Sequence, residues 1–200
     1  MSHHTAPMGK GRLEAFSDGV IAIIITIMVL DLRVPHGETL DALVPVLPVF
    51  LVYALSFINL GIYWNNHHHM LHACERVTGP ILWANLHLLF WLSLFPFTTA
   101  WMGENRYAAL PAALYGCVML LAALAYVILQ QTIIASQGPD SLLKKAVGVD
   151  TKGKLSAVFY LLAIPSAVLV SRWVAIGLYV LVAFIWFIPD RRIENALSSR

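Results

Sequence analysis

Residues 13–32 read Leu-Glu-Ala-Phe-Ser-Asp-Gly-Val-Ile-Ala-Ile-Ile-Ile-Thr-Ile-Met-Val-Leu-Asp-Leu. Between Asp18 and Asp31 the run carries no charge, and it stops at Arg33, Pro35 and Gly37. A hydrocarbon core of ~30 Å is crossed by about 20 apolar residues in a helix, so Leu13 to Leu32 is long enough to span a bilayer. Five further apolar runs follow: Leu43 to His69, Pro80 to Met102, Pro111 to Ala135, Leu155 to Val170 and Trp173 to Ile188. A chain of 200 residues would otherwise suggest one soluble domain, but 59% hydrophobic against 12% charged residues excludes that class. The expectation is an all-α integral membrane protein of six transmembrane helices, forming one six-helix domain over residues 1–200. Only Ser171 and Arg172 separate the last two runs, which reads as a tight helical hairpin.

The loops set the orientation. With the N-terminus inside, the inner segments hold Lys10, Arg12, Arg76, Lys144, Lys145, Lys152, Lys154, Arg191, Arg192 and Arg200. The outer segments hold only Arg33, Arg106 and Arg172. That asymmetry follows the positive-inside rule and requires an even number of spans, so both termini are expected in the cytoplasm of a cell with a multi-pass protein in its cell membrane. The polar stretch 136–154 is then a cytoplasmic linker between spans four and five. Trp64, Trp83, Trp101, Tyr107 and Trp173 fall near span ends, where amphipathic rings sit at the lipid headgroups. Pro96 and Pro165 lie within spans and are expected to kink them.

Other classes are excluded or unsupported. A net charge of +2 gives no electrostatic footprint for nucleic acid. Cys74 and Cys117 are too far apart in sequence to read as a metal motif, and they imply no disulfide framework. The polar start, residues 1–11, and the length of the run behind it are not those of a removable targeting segment.

The first span carries the unusual chemistry. Ser17 and Asp18 sit just inside a strongly apolar helix, where a carboxylate is costly and is normally turned toward a partner inside the bundle. At about 100° per residue, Phe16, Ile23, Ile27 and Leu30 share one stripe with Val20 at its edge. Asp18, Ile25 and Val29 point to nearly the opposite side, which is expected to face the other helices of the subunit. The Ile23/Ile27/Leu30 stripe has two readings: packing on helices or lipid, or a hydrophobic constriction that gates a pore by dewetting. Periodicity alone favours the first.

Arg12-x-x-x-Phe16-Ser17-Asp18 at the head of an Ile-rich first span resembles the signature of the transmembrane protein 175 family, lysosomal and prokaryotic cation channels permeable mainly to potassium. The segment Trp64 to His69, Asn85 and Pro96-Phe97 extend the resemblance, and the length is that of one six-helix repeat. The resemblance implies that the first helix of each subunit lines the pore, with Ile23, Ile27 and Leu30 at the constriction. It implies that Arg12, Phe16, Ser17 and Asp18 hold that helix against its subunit. It implies a homotetramer in the prokaryotic inner membrane, with potassium as permeant ion, no cofactor and no enzymatic activity. A single six-helix unit gives no symmetric conduit, so a pore needs several copies in any case.

Residues outside the stripe are read beside it. Thr26, about 60° from the stripe centre, offers a hydroxyl to a passing ion, and Asp31 near the outer mouth either concentrates cations or is a solvated helix-end residue. The Thr-Val-Gly-Tyr-Gly filter of ordinary potassium channels is absent, so weak discrimination of potassium over sodium is expected. The run Asn65-Asn66-His67-His68-His69, with His72 beyond, invites a metal reading because His68 and His72 are four residues apart. No Cys, Asp or Glu pattern completes such a site, and no metal is expected. His67, His68 or His69 is instead expected to hydrogen-bond Asp18, Ser17 or backbone. Two alternatives remain beside the channel. One is a metal-dependent membrane enzyme using the His67–His72 cluster with Glu75. The other is a proton or cation transporter, with His87 the main ionisable group near a span centre.

Overall fold

The structure is a computed structural model that describes residues 9–138, 141, 143–144 and 151–187. Lys145, Arg191, Arg192, Arg200, Ile188 and residues 139–140, 142 and 145–150 of the linker lie outside the described residues. Helix α1 covers Lys10–Ile27 and tightens into a 3-10 turn, Met28–Asp31. The remaining helices are α2 (Leu47–His72), α3 (Gly79–Ser93), α4 (Phe95–Glu104), α5 (Ala109–Gln137), α6 (Thr151–Leu169) and α7 (Arg172–Phe187). Because α3 and α4 together form one rod, the described residues make six rods, and the fold is all-α. Five are long and apolar enough to cross a membrane; α7 is a shorter apolar helix of 16 described residues.

Proline accounts for the main departures from the expected boundaries. The second rod starts at Leu47 rather than Leu43, behind a 3-10 turn at Leu40–Leu43, with Pro48 in its first turn. A first-turn proline costs no hydrogen bond, since that N–H has no partner in any helix. The third rod is broken rather than merely kinked. Pro96 has no N–H for the carbonyl of Leu92, and the chain closes a tighter turn there, Leu94 N donating to Trp91 O at 3.3 Å. Pro165, by contrast, stays inside α6.

Helix α5 lies at the centre, packed on α3, α4, α6 and α7, while α1 rests on α2, α3 and α4. Two glycines set how closely the rods approach. A Cβ on Gly103 would stand 2.8 Å from Val49 Cα, so α2 and α4 touch backbone to backbone there. A Cβ on Gly116 would collide with the hydroxyl of Tyr179, which crosses from α7 to donate to Ala112 O at 3.0 Å. Small residues at such contacts let membrane helices pack without a hydrophobic driving force.

The core between the rods is polar as well as aromatic. Ser56 on α2 hydrogen-bonds Thr99 on α4 at 2.7 Å and Tyr115 on α5 at 3.1 Å, all three buried. Tyr115 in turn lies 5.5 Å from the Tyr179 ring, and Tyr160 of α6 lies 6.2 Å from it on the other side. Arg106 and Tyr107 adopt left-handed backbone angles (φ 48° and 61°) in the turn from α4 to α5. The Tyr107 hydroxyl holds that turn by donating to Pro48 O at 2.8 Å, and burial pushes its pKa up, keeping it a donor.

Replacing Gly116 by Val is expected to destabilise the fold by about 1–3 kcal/mol, because neither the Tyr179 ring nor the α5 backbone has room to yield. Thermal unfolding in detergent measures it, and an unchanged midpoint would show that α5 and α7 are not this close.

Candidate functional site

Helix α1 packs through one narrow face. Leu13, Ser17, Ile21, Ile24 and Met28 are its buried residues, spaced by four, four, three and four. That face lies about a quarter turn from where it was expected. Val29, assigned to the inward side, is 44% exposed, and Ala22 is exposed as well. The reason is that Ser17, not Asp18, enters the bundle.

Ser17 is completely buried. Its hydroxyl donates to Leu13 O at 2.9 Å and accepts from the Asn85 amide of α3 at 2.9 Å. The Asn85 carbonyl oxygen lies 2.7 Å from His67 Nε2 on α2. An amide oxygen only accepts, so His67 carries its hydrogen on Nε2 and donates. Three helices are thus joined by one buried chain, His67 to Asn85 to Ser17 to Leu13 O, and every member is within a few per cent of full burial.

Asp18 stands at the flank of this face, half-buried. Its carboxylate accepts from Trp64 Nε1 of α2 at 3.0 Å. The hydrogen bond of Asp18 thus goes to Trp64, while Asp18 stays close enough to His67 to act on it electrostatically. His67 is turned to Asn85, and His68 lies in an exposed aromatic row with Trp64 and His72, ring centroids 6.4 and 6.2 Å apart. His69 packs beside His68 at 5.5 Å. The physical reason is the helical period. Trp64, His68 and His72, four apart, share one flank of α2, while His67 lies about 100° away on the buried side. Among the described residues, no three His, Cys, Asp or Glu side chains converge as metal ligands would.

The two ends of α1 are tied differently. At its start, Lys10 donates to His72 O at 2.6 Å and pairs loosely with Glu14 at 3.9 Å, while Arg12 is exposed. At its far end, Arg33 pairs with Glu104 of α4 at 3.1 Å, and Asp31 is half-buried. A recess of about 590 Å³, partly open, lies there, with Asp31, Arg33, His36, Glu104 and Arg106 on its wall. Sequence reading singled out Asp31 but not Glu104, whose only signal was an acidic residue at a span end.

The rest of α1 is uncovered. Ile23, Ile27 and Leu30 are 61%, 42% and 79% exposed, and Phe16 is 53% exposed. Ala15, Gly19, Ala22 and Thr26 are exposed between them. The Thr26 hydroxyl donates to Ile23 O at 3.0 Å, which leaves its lone pairs facing outward. A helix anchored by buried polar contacts on one side and bare on the other is arranged to meet something outside its own subunit.

These features define a polytopic helical membrane protein with an anchored but half-bare first helix. Residues 12–96 match the family described as the endosomal/lysosomal potassium channel TMEM175. A protein named as a potassium channel from Chryseobacterium sp. is 54% identical over 192 residues, covering 96% of this chain and 100% of its own length. A second, from Streptomyces collinus, is 39% identical over 125 residues, covering 58% of this chain and 61% of its own. A crystal structure titled as a lysosomal potassium-selective channel TMEM175 homolog from Chamaesiphon minutus superposes with a TM-score of 0.79 at 25% identity, covering 90% of this chain and 97% of that one. The chain belongs to the TMEM175 family. Its named relatives are channels, not enzymes.

Replacing Asn85 by Leu is expected to cost about 1–3 kcal/mol, because the Ser17 hydroxyl and the His67 imidazole would both stay buried with a partner lost. Unfolding in detergent measures it; a loss no larger than that of an exposed control such as Leu86→Ala would mean the chain of hydrogen bonds is not holding α1.

Proposed function

We propose that this protein is a potassium-permeable cation channel, formed by four copies with their α1 helices around a common axis. The observation that carries this reading is the bare aliphatic face of α1. Ile23, Ile27 and Leu30 rise along it at intervals of four and three residues, on a helix whose other side is fixed by buried hydrogen bonds. Four such faces meeting at an axis make a dry constriction, which resists ions when narrow and conducts when widened enough to hold water. The names carried by the relatives agree with it.

In this reading Ser17 and Asp18 support α1 within the subunit, and Arg12 and Phe16, exposed on a single subunit, support it against the neighbouring copies. Ser17 and Asp18 fix the rotation of α1 so that the aliphatic residues, rather than the carboxylate, face the axis. His67 supports them from below through Asn85. Thr26 places a hydroxyl beside the constriction, and Asp31 places a carboxylate at the outer mouth. No carbonyl-lined filter sequence exists in the chain, so the selectivity of potassium over sodium is weak. All 200 residues form one membrane domain in the inner membrane, with both termini and the linker at 136–154 in the cytoplasm. Its partners in this reading are other copies and lipid, with no nucleic acid and no cofactor.

Potassium flux from purified protein in liposomes tests the pore. Ile23→Ala, Ile27→Ala and Leu30→Ala should each raise flux severalfold, and Ile27→Trp should abolish it. Flux indifferent to all four would sink the constriction. The orientation has its own check. With Cys74 and Cys117 replaced, an impermeant thiol reagent added to intact cells should label Glu38→Cys and spare Gly9→Cys; the reverse pattern would invert the topology.

A further inference from the structure

A second cavity lies away from α1, between α2, α5, α6 and α7. It is a cleft of about 70 Å³, partly open to the surroundings, and its wall is mostly apolar. Its wall includes Ile62, Leu124 and the buried Tyr160, and small residues, Ala123, Gly153 and Ala157, keep it from filling. It occupies the half of the bundle that holds the ends of α2, α5 and α7 and the start of α6. Lys10 at the start of α1 reaches His72 O at this same end, so the cavity belongs to the lysine-rich side.

The mouth is built differently from the interior. Trp186 of α7 donates from Nε1 to Ser156 Oγ at 2.8 Å, and Ser156 donates to Lys152 O at 2.8 Å, which closes α7 onto the first turns of α6. The Lys152 ammonium lies 6.0 Å over the Trp186 ring. Relative to the wall residues Gly153, Ala157 and Tyr160, Lys152 and Lys154 flank the lining face on its two sides. An apolar slot with an indole on its wall, and a lysine to either side of its α6 face, has the polarity of one lipid standing in the bilayer. Indoles sit at the headgroup level, and lysines near the surface attract anionic headgroups.

We propose that this cavity is a binding site for an anionic phospholipid, with one acyl chain between α2 and α6 and the phosphate at Lys152 and Lys154. The site lies in the shell of the subunit, apart from α1. Binding is read without current, so failure here leaves the conduction assay untouched, and the reverse also holds.

The test exposes the purified full-length protein to vesicles of phosphatidylglycerol and phosphatidylcholine in equal parts, then counts retained lipid by native mass spectrometry in mild detergent. The unaltered protein should retain one phosphatidylglycerol per subunit, favoured over phosphatidylcholine by about thirtyfold, given roughly tenfold per 1.4 kcal/mol and about 1 kcal/mol for each of the two lysines. Ala157→Phe and, separately, Ala123→Leu should abolish retention with helix content unchanged. Lys152→Gln combined with Lys154→Gln, which leaves the slot intact, should keep a lipid but lose the preference. Retention undiminished in the folded slot-filled variants, or a headgroup preference indifferent to the two lysines, overturns the proposal.

Discussion

Everything about α1 depends on the chain of hydrogen bonds from His67 through Asn85 to Ser17. In a bilayer, lipid is as apolar as Leu or Ile, so an aliphatic helix gains little by turning one apolar face rather than another toward its own subunit. Rotation must be set by groups that lipid cannot satisfy. A buried serine hydroxyl bonded to an amide of α3 is such a group, because a turn of α1 would strand Ser17, Asn85 and His67 together. The cost of that mistake fixes the outward face without any outward contact.

Asp18 adds to this in a different way. Its carboxylate does not enter the bundle but accepts from an indole N–H on its flank, near the membrane surface. The charge stays half-buried at the helix end, where it is tolerable, and still ties α1 to α2. Neighbouring residues thus divide the work: the neutral hydroxyl is buried and sets rotation, and the charged group stays at the edge and sets height.

Much of this was legible in the sequence, and the failures are instructive. The six apolar runs gave the rods, because length and hydrophobicity are local properties that a bilayer reads directly. The first run also carried the Ser-Asp pair that marked α1 as the helix to watch. Trp64 was missed as a hydrogen-bond donor to Asp18 because it was read as an interface anchor and as the start of the Trp64–His69 segment. An indole at a span end serves lipid and protein equally well in one dimension. The inward face of α1 was misjudged by a quarter turn because the carboxylate seemed the group most in need of burial, whereas the pairing of Ser17 with Asn85 needs tertiary contact to be seen. The break at Leu94 was underestimated for a similar reason. A proline announces a lost hydrogen bond, but the packing around it decides between a bend and a new helix.

The rigid and the bare parts of the subunit are also separated in space. The tyrosines and Ser56–Thr99 bonds knit α2, α4, α5, α6 and α7 into a core whose polar groups are internally satisfied. That core has little reason to rearrange. Helix α1 touches it through a single stripe whose last residue is Met28, and beyond Met28 its 3-10 turn is followed by the exposed Arg33–Glu104 pair, a contact weaker than the buried relay at its other end. A rod clamped firmly at one end and lightly at the other pivots most easily at the light end. The side chains that such a pivot displaces furthest are those of Ile27 and Leu30, two of the three residues proposed to form the constriction.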